Sequence, residues 1–192
     1  MKIVPTFGTQ NNREGLFAIH LDNEEEDELA KCVENWLFDT GYLYNFFSEH
    51  INDLNSGYYE KPISIQQAIK YTREEAEALF QALGDLAVTG INDGIENLSS
   101  VFVPLNNNEY RLKELQQVKA KSKNQMRWLR IYAIKISSNT FIVTGGAIKL
   151  VEKMRESSHL IKENQKLDDI KNFLKEEGIF DQEEFEVYIL SL

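Results

Sequence analysis

Cysteine, histidine and proline are all scarce in this chain of 192 residues, which has 1 Cys, 3 His and 3 Pro. The single cysteine, Cys32, excludes an internal disulfide, and its helical setting beside Leu29 and Val33 favours a buried apolar role over a nucleophilic one. The histidines lack the spacing of a metal-binding motif, so we expect no metal site. No apolar run approaches a membrane span and the N-terminus lacks a secretory core, so the sequence predicts a cytoplasmic protein without membrane contact.

Signatures of nucleotide, dinucleotide and acyl-transfer sites are absent as well. The Gly145–Gly146 pair is not followed by the Gly-Lys-Ser/Thr ending of a P-loop. There is no Gly-x-Ser-x-Gly elbow and no dinucleotide fingerprint. We therefore expect no cofactor, and we interpret the two glycines as a bulge or as a close approach of the strand to a helix.

Charge is distributed unevenly along the chain, whose formal net charge is −10. Residues 1–108 carry 6 Lys+Arg against 18 Asp+Glu, and residues 163–192 carry 3 against 9, so both parts are acidic. Residues 109–162 carry 12 against 4 and form a basic island. Such an island can attract nucleic acid or an acidic partner, or it can pair with the acidic helices of the same chain.

The densest group of strand-forming residues lies between Met126 and Leu150. Trp128–Ile136 and Phe141–Thr144 are rich in β-branched and aromatic residues, and a Ser-Ser-Asn-Thr link joins them. This pattern predicts a β-hairpin at the centre of the fold. The stretch from Lys119 to Lys123 before the hairpin alternates lysines with few apolar residues, and we interpret it as an exposed loop.

Two short strands and a series of helices are predicted before the hairpin. Residues 2–9 and 15–21 are typical of strands, and Pro5 places the first of them at a sheet edge. Asn23 with Glu26 and Ser64 with Gln67 fit capping boxes, which predicts helices that begin at these positions, and a further helix is predicted from Thr72. After the hairpin, the pattern predicts one helix ending at Gly178 and a short last helix capped by Asp181.

Alternation along the first hairpin strand predicts two faces of different character. Leu129, Ile131 and Ala133 share the face that we expect to look into the core. The opposite face is predicted to carry Trp128, Arg130, Tyr132 and Ile134. An arginine and a tyrosine side by side could hold a phosphate and place a phenol near it.

The segment from about residue 110 to 175 resembles the core of the RelE/HigB-like toxin superfamily, including its phage-derived Gp49-like members. The similar pattern is a strand WLRIYAIKI, a turn, a strand FIVTGGAIKL and the helix HLIKENQKLDDIKNFLKEEG. The whole chain also resembles a bacterial family to which no activity is assigned. The resemblance implies an α+β fold, with a small twisted antiparallel sheet and helices packed on one face. We expect one domain over residues 1–192, with a helical insertion at 22–90 and a sheet-centred core at 101–178.

The activity that the resemblance implies is metal-independent cleavage of mRNA, commonly on the ribosome and controlled by an antitoxin protein. On this chain it implies catalytic roles for Arg130, Tyr132 and His159. The implied phosphate-binding residues are Arg127, Lys135 and Lys149. Two other hypotheses about the function remain: a non-enzymatic binding module that uses the basic strand face, and a degenerate relative that keeps only the fold.

Overall fold

A computed structural model describes residues 1–7, 13–56, 62–92, 95–105, 114–121, 127–152 and 157–191. Its six strands are β1 (Lys2–Pro5), β2 (Gly15–His20), β3 (Phe102–Pro104), β4 (Gln116–Ala120), β5 (Leu129–Lys135) and β6 (Thr140–Ile148). They form one sheet in the order β1-β2-β6-β5-β4-β3. The predicted α+β class is confirmed, but the expectation of a wholly antiparallel sheet is wrong, because β2 runs parallel to β6. The long helical segment between these two strands allows the crossover that a parallel pair needs.

The helices occupy the segment between β2 and β3 and the end of the chain. They are α1 (Glu28–Val33), α2 (Thr40–Glu49), α3 (Ile51–Leu54), α4 (Ile65–Asn92), α5 (Ser158–Glu176) and α6 (Gln182–Leu190). A π-helical turn, Glu34–Phe38, joins α1 to α2, and a 3-10 turn, Leu98–Ser100, precedes β3. Within the described ranges, no helix combines the length and apolar character that a bilayer crossing requires.

The sheet is covered by helices on both faces, so the expectation of helices on one face is wrong. One apolar core joins the sheet to α1, α2, α3 and α4, and a second core joins the other face to α5 and α6. Ile131 lies in the first core and its neighbour Tyr132 in the second, each almost completely buried. Burial on both faces explains why β5 and β6 are apolar runs rather than alternating ones.

Most of the predicted helix caps and element boundaries are present in the structure, and three of these predictions are wrong. Ser64 and Gln67 form the predicted capping box at the start of α4, and Gly178 ends α5 with a φ of 73°. The N-cap of α1 is Asp27 rather than Asn23. Thr72 begins no separate helix, because α4 runs unbroken through it, and its buried hydroxyl donates to the carbonyl of Ala68 (2.8 Å). Lys119 lies within β4 instead of a loop, while Lys123 lies outside the described residues.

The predicted hairpin is present and its glycines bring β6 close to the helices. The register between β5 and β6 shifts between Tyr132 and Ala133, which is the bulge that the glycine pair predicts. A Cβ on Gly146 would lie 2.7 Å from Trp36 and 2.8 Å from Cys32. The predicted face of Trp128 is wrong: its side chain packs against Phe47 in the first core, because β5 and its alternation begin only at Leu129.

A buried carboxylate on α4 holds the beginning of β5. The two oxygens of Glu75 accept hydrogen bonds from the backbone N–H groups of Trp128 (3.1 Å) and Leu129 (3.2 Å). The preceding residue, Arg127, has a φ of 52°, so the chain turns sharply just before these bonds. Burial raises the pKa of Glu75 to about 7, against the opposing effect of the two N–H donors. Glu75 therefore ties the central strand to the longest helix.

A second polar contact connects the two helical layers through the sheet. Pairing of β2 with β6 stops at Ala18 and Val143, and beyond this point α1 and α5 meet. Lys166 of α5 pairs with Glu28 of α1 and with Glu163 of its own helix (2.9 Å). Burial acts to lower the pKa of Lys166, but the two carboxylates outweigh it and the pKa is raised.

The ion network of Lys166 with Glu28 and Glu163 has room beside β6 because residue 145 is a glycine. A Cβ on Gly145 would lie 2.2 Å from Oε2 of Glu163 and 2.5 Å from Nζ of Lys166, and the φ of this glycine is +152°. Its conformation and the ion network thus require glycine at the same position.

We expect Glu75→Ala to lower the free energy of unfolding by about 2–5 kcal/mol, because two buried N–H groups lose their acceptor. Glu75→Gln should lower it by about 1–3 kcal/mol, since an amide offers one acceptor oxygen to two donors. Urea denaturation followed by circular dichroism measures both. Glu77→Gln, at an exposed position of the same helix, is the matched control and should change stability by less than about 0.5 kcal/mol.

The same carboxylate should leave a pH signature. Its folded pKa of about 7 lies above the value of 4.5 expected for an exposed glutamate. Protonation of Glu75 therefore stabilises the folded state. Its contribution to the free energy of unfolding, up to about 3 kcal/mol, is fully present below pH 4.5 and is lost as the pH rises through 7. Relative to Glu75→Gln, the wild type should lose stability between pH 5 and 8. A constant difference between the two proteins over this range would contradict the buried carboxylate.

Lys166→Met should lower the free energy of unfolding by about 3 kcal/mol at pH 7.5, because Glu163 would keep a buried charge without its cation. Glu28 would lose one of its two cations and keep Lys31 (2.9 Å). The loss should shrink at pH 5, where Glu163, whose pKa burial raises, takes up a proton more easily. Adding Glu28→Gln should recover part of it. Lys162→Met, exposed one turn earlier on α5, serves as the control in the same urea titrations.

Candidate functional site

Six polar residues converge at the end of the sheet where β5 begins and β6 ends. We call this group the cationic end; it consists of Lys119, Lys121, Arg127, Arg130, Lys149 and His159. The pairing of Ala120 with Ile131 brings the end of β4 to the beginning of β5. The backbone N–H of Lys149 donates to the carbonyl of Trp128 (2.7 Å), which fixes the end of β6 beside them.

Arg130 lies close enough to Lys119 for its positive charge to affect the pKa of that lysine. Burial lowers the pKa of Lys119, and the charges of Arg130 and Lys121 lower it further. Nη1 of Arg130 donates to the carbonyls of Arg127 and Leu129 (2.5 and 2.6 Å), and Nζ of Lys119 donates to the carbonyl of Leu105 (2.9 Å). The carbonyls that orient these cations carry no net charge, and among the described residues neither side chain forms an ion pair. The nearby carboxylate is the buried Glu75, whose pKa the charge of Arg130 lowers. Cations held this way are suited to an external anion.

Arg127 and Lys149 extend the cationic end toward solvent. Arg127 is exposed at the turn before β5, and Lys149 is partly exposed directly after β6. Nζ of Lys149 donates to the backbone carbonyl of Glu152. Lys121 is exposed directly after β4. The arrangement gives a row of positive groups across three neighbouring strand ends.

His159 is the member of the cationic end that lies in the first turn of α5, and both of its ring nitrogens have partners. Nε2 is 2.9 Å from the carbonyl of Ile148 and Nδ1 is 2.7 Å from Oγ of Ser157. These distances fit a neutral ring that donates from Nε2 and accepts at Nδ1. Burial lowers the pKa of His159; His50, whose ring centroid is 5.0 Å away, lowers it further, while the Ile148 carbonyl acts in the opposite direction.

Two predicted site residues lie elsewhere. Tyr132 is 1% exposed and belongs to the second core, because helices pack over the face of β5 that carries it. Its role as an acid or base stays a prediction that the resemblance alone implies. Burial raises the pKa of its hydroxyl. Lys135 ends β5, about 16 Å along the strand from Arg130, and donates to Oγ of Ser99 (3.0 Å). The structure therefore brings together Arg127, Arg130, Lys149 and His159.

Sequence reasoning missed Lys119 and Lys121 as members of this group. Val118 and Ala120 alternate with these lysines at a period of two, which is the signal of a strand with one apolar face. As for metals, the described part of the chain contains no group of three or more His, Cys, Asp or Glu side chains placed to hold an ion.

Comparisons of this chain with protein-family models, with curated proteins and with solved structures found no match. The resemblance to RelE/HigB-like toxins therefore stays a prediction, and the function is argued from the geometry of the cationic end.

The setting of His159 generates a prediction that NMR can check. His50→Gln should raise the pKa of His159, because a neighbouring positive charge is removed, and Asp53→Asn should lower it, because a favourable negative charge is removed. Titration of the ring ¹³C–¹H signals measures both shifts. Glu49→Gln, at an exposed position of α2, is the control. Shifts in the same direction for both test variants would contradict the described arrangement.

Proposed function

We propose that this chain is a cytoplasmic binding protein without enzymatic activity that holds a phosphate-rich partner, single-stranded RNA, at its cationic end. The observation that carries the proposal is the pair of Lys119 and Arg130, whose cations are oriented by backbone carbonyls and form no ion pair within the described ranges. Phosphate oxygens are the natural partners of such oriented cations.

The spatial arrangement of the positive charges favours an extended partner over a small anion. Lys121, Arg130, Arg127 and Lys149 lie on three successive strand ends, β4, β5 and β6. Neighbouring strands are about 4.8 Å apart, so the row spans about 10 Å. A nucleic-acid backbone, which repeats its charge along its length, can contact several of these groups at once.

Binding is better supported than RNA cleavage. Cleavage by attack of the 2′-hydroxyl needs a base and an acid beside the scissile phosphate. Tyr132 is buried in the second core, and the ring nitrogens of His159 face Ile148 and Ser157 of the same chain. Ribonuclease activity and its antitoxin stay predictions that the resemblance alone implies.

The test is fluorescence anisotropy with a labelled single-stranded RNA of 20 nucleotides, at salt concentrations from 50 to 200 mM. Lys121→Gln/Arg127→Gln should weaken binding about tenfold and reduce the slope of log K against log salt by about 1.4, which is about 0.7 for each lost cation on a single strand. Both positions are exposed, so we expect the fold to persist.

Lys171→Gln/Lys175→Gln removes the same charge from the last turns of α5, at least about 18 Å along that helix from His159, and should leave binding nearly unchanged. If both double variants weakened RNA binding equally, the binding would depend on net charge alone, and this result would contradict a defined site. The same RNA, run on a denaturing gel after incubation, should stay intact. Cleavage that disappears in His159→Gln would restore the ribonuclease hypothesis.

A further inference from the structure

A groove of about 440 Å³ lies between the end of β1 and α1. Its apolar lining consists of Pro5, Phe7, Leu29, Ala30 and Val33. Pro5 pairs with Phe17, which pairs with Ile142 near the beginning of β6. The groove is therefore at the end of the sheet opposite to the cationic end, and the two sites are independent.

The polar groups around this groove are Thr6, Glu26, Asp27 and Glu34. The hydroxyl of Thr6 donates to the carbonyl of Leu16, and the carboxylate of Asp27 caps α1 by accepting from Leu29 and Ala30 (2.9 Å each). Glu26 and Glu34 are exposed and, among the described residues, form no ion pair. The carboxylates of Glu26 and Glu34 at the rim of the apolar groove can therefore pair with a cationic ligand.

These carboxylates lie on either side of α1, which runs from Glu28 to Val33. Glu26 and Glu34 are eight positions apart in the chain, and α1 forms six of these positions, so at the rise of an α-helix their backbones are about 10–12 Å apart. Apolar lining with a few fixed polar groups, in a volume of this size, is typical of small-ligand sites.

We propose that this groove binds a linear aliphatic amine, with its methylene chain against Leu29, Ala30 and Val33 and its ammonium groups at Glu26 and Glu34. An alkyl chain buries apolar surface of the groove, and each ammonium gains a carboxylate partner. The spacing of the two carboxylates favours a diamine over a monoamine.

A peptide strand fits this position less well. Strand addition to an exposed sheet edge depends on main-chain hydrogen bonds. Pro5 lines the groove at the end of the edge strand β1 and has no N–H to offer to an added strand. The groove is therefore suited to a ligand that carries its charge on flexible ends and needs no backbone partner.

The experiment is a titration of the ¹⁵N-labelled full chain, followed by ¹H–¹⁵N correlation spectra, with three probes of equal chain length: 1,8-diaminooctane, n-octylamine and 1-octanol. The proposal expects saturable shifts at residues 6–7 and 29–34, with the diamine tightest and the alcohol weakest. Equal affinities for the three probes would show a purely apolar groove and overturn the proposal, as would the absence of saturable shifts at millimolar diamine.

Variants of the groove residues separate the contribution of the carboxylates to binding from that of the apolar lining. Glu26→Gln and Glu34→Gln should each weaken the diamine up to about fivefold, the range for an exposed ion pair, and should leave octanol unchanged. Ala30→Leu should fill the groove and abolish binding of all three probes, and circular dichroism checks that the variant folds. Glu176→Gln/Glu183→Gln, which removes two exposed acids from α5 and α6, is the charge control. Weakening of the diamine by this control to the same degree would also overturn the proposal.

Discussion

The hydrogen bonds that Glu75 accepts from the beginning of β5 determine where the cationic end lies. The carboxylate accepts from Trp128 and Leu129 directly after the sharp turn at Arg127. Without this acceptor, two backbone N–H groups at the edge of the first core would be buried and unsatisfied. Because β5 is flanked by β4 and β6 in the sheet, its start also positions Lys121 and Lys149. A contact inside the core is thereby linked to a charged surface.

Local features of the fold are readable from the sequence because their physical causes are local. The hairpin from β5 to β6, the capping box at Ser64 and the glycine cap at Gly178 each depend on residues close together in the chain. The parallel pairing of β2 with β6 and the ion pair of Glu28 with Lys166 join residues more than one hundred positions apart. No periodicity of neighbouring residues encodes such contacts, so the sequence could not reveal them.

Tyr132 shows how this limit affects the prediction of a site. Alternation correctly separates Tyr132 from Ile131 and places them on opposite faces of β5. Whether the second face meets water or helices depends on α5 and α6, which fold back over it. Arg127, Arg130 and Lys149 were found by sequence reasoning because charged residues at strand ends reach the surface whichever face is covered. The burial of Tyr132, between these ends, could not be inferred from alternation alone.

The overall negative charge constrains how an anionic partner could reach the cationic end. With a net charge of −10, the chain as a whole repels RNA, and salt screens this repulsion at separations greater than the Debye length, about 10 Å at 0.1 M salt. Inside that distance the nearest charges dominate, and these are Lys121, Arg127 and Arg130. Added salt therefore has two opposing effects: it screens the long-range repulsion, which favours encounter, and it weakens the short-range contacts. A partner held by such a surface is selected by contacts at close range and gains nothing from long-range attraction, so nonspecific capture of RNA by the rest of the surface is suppressed.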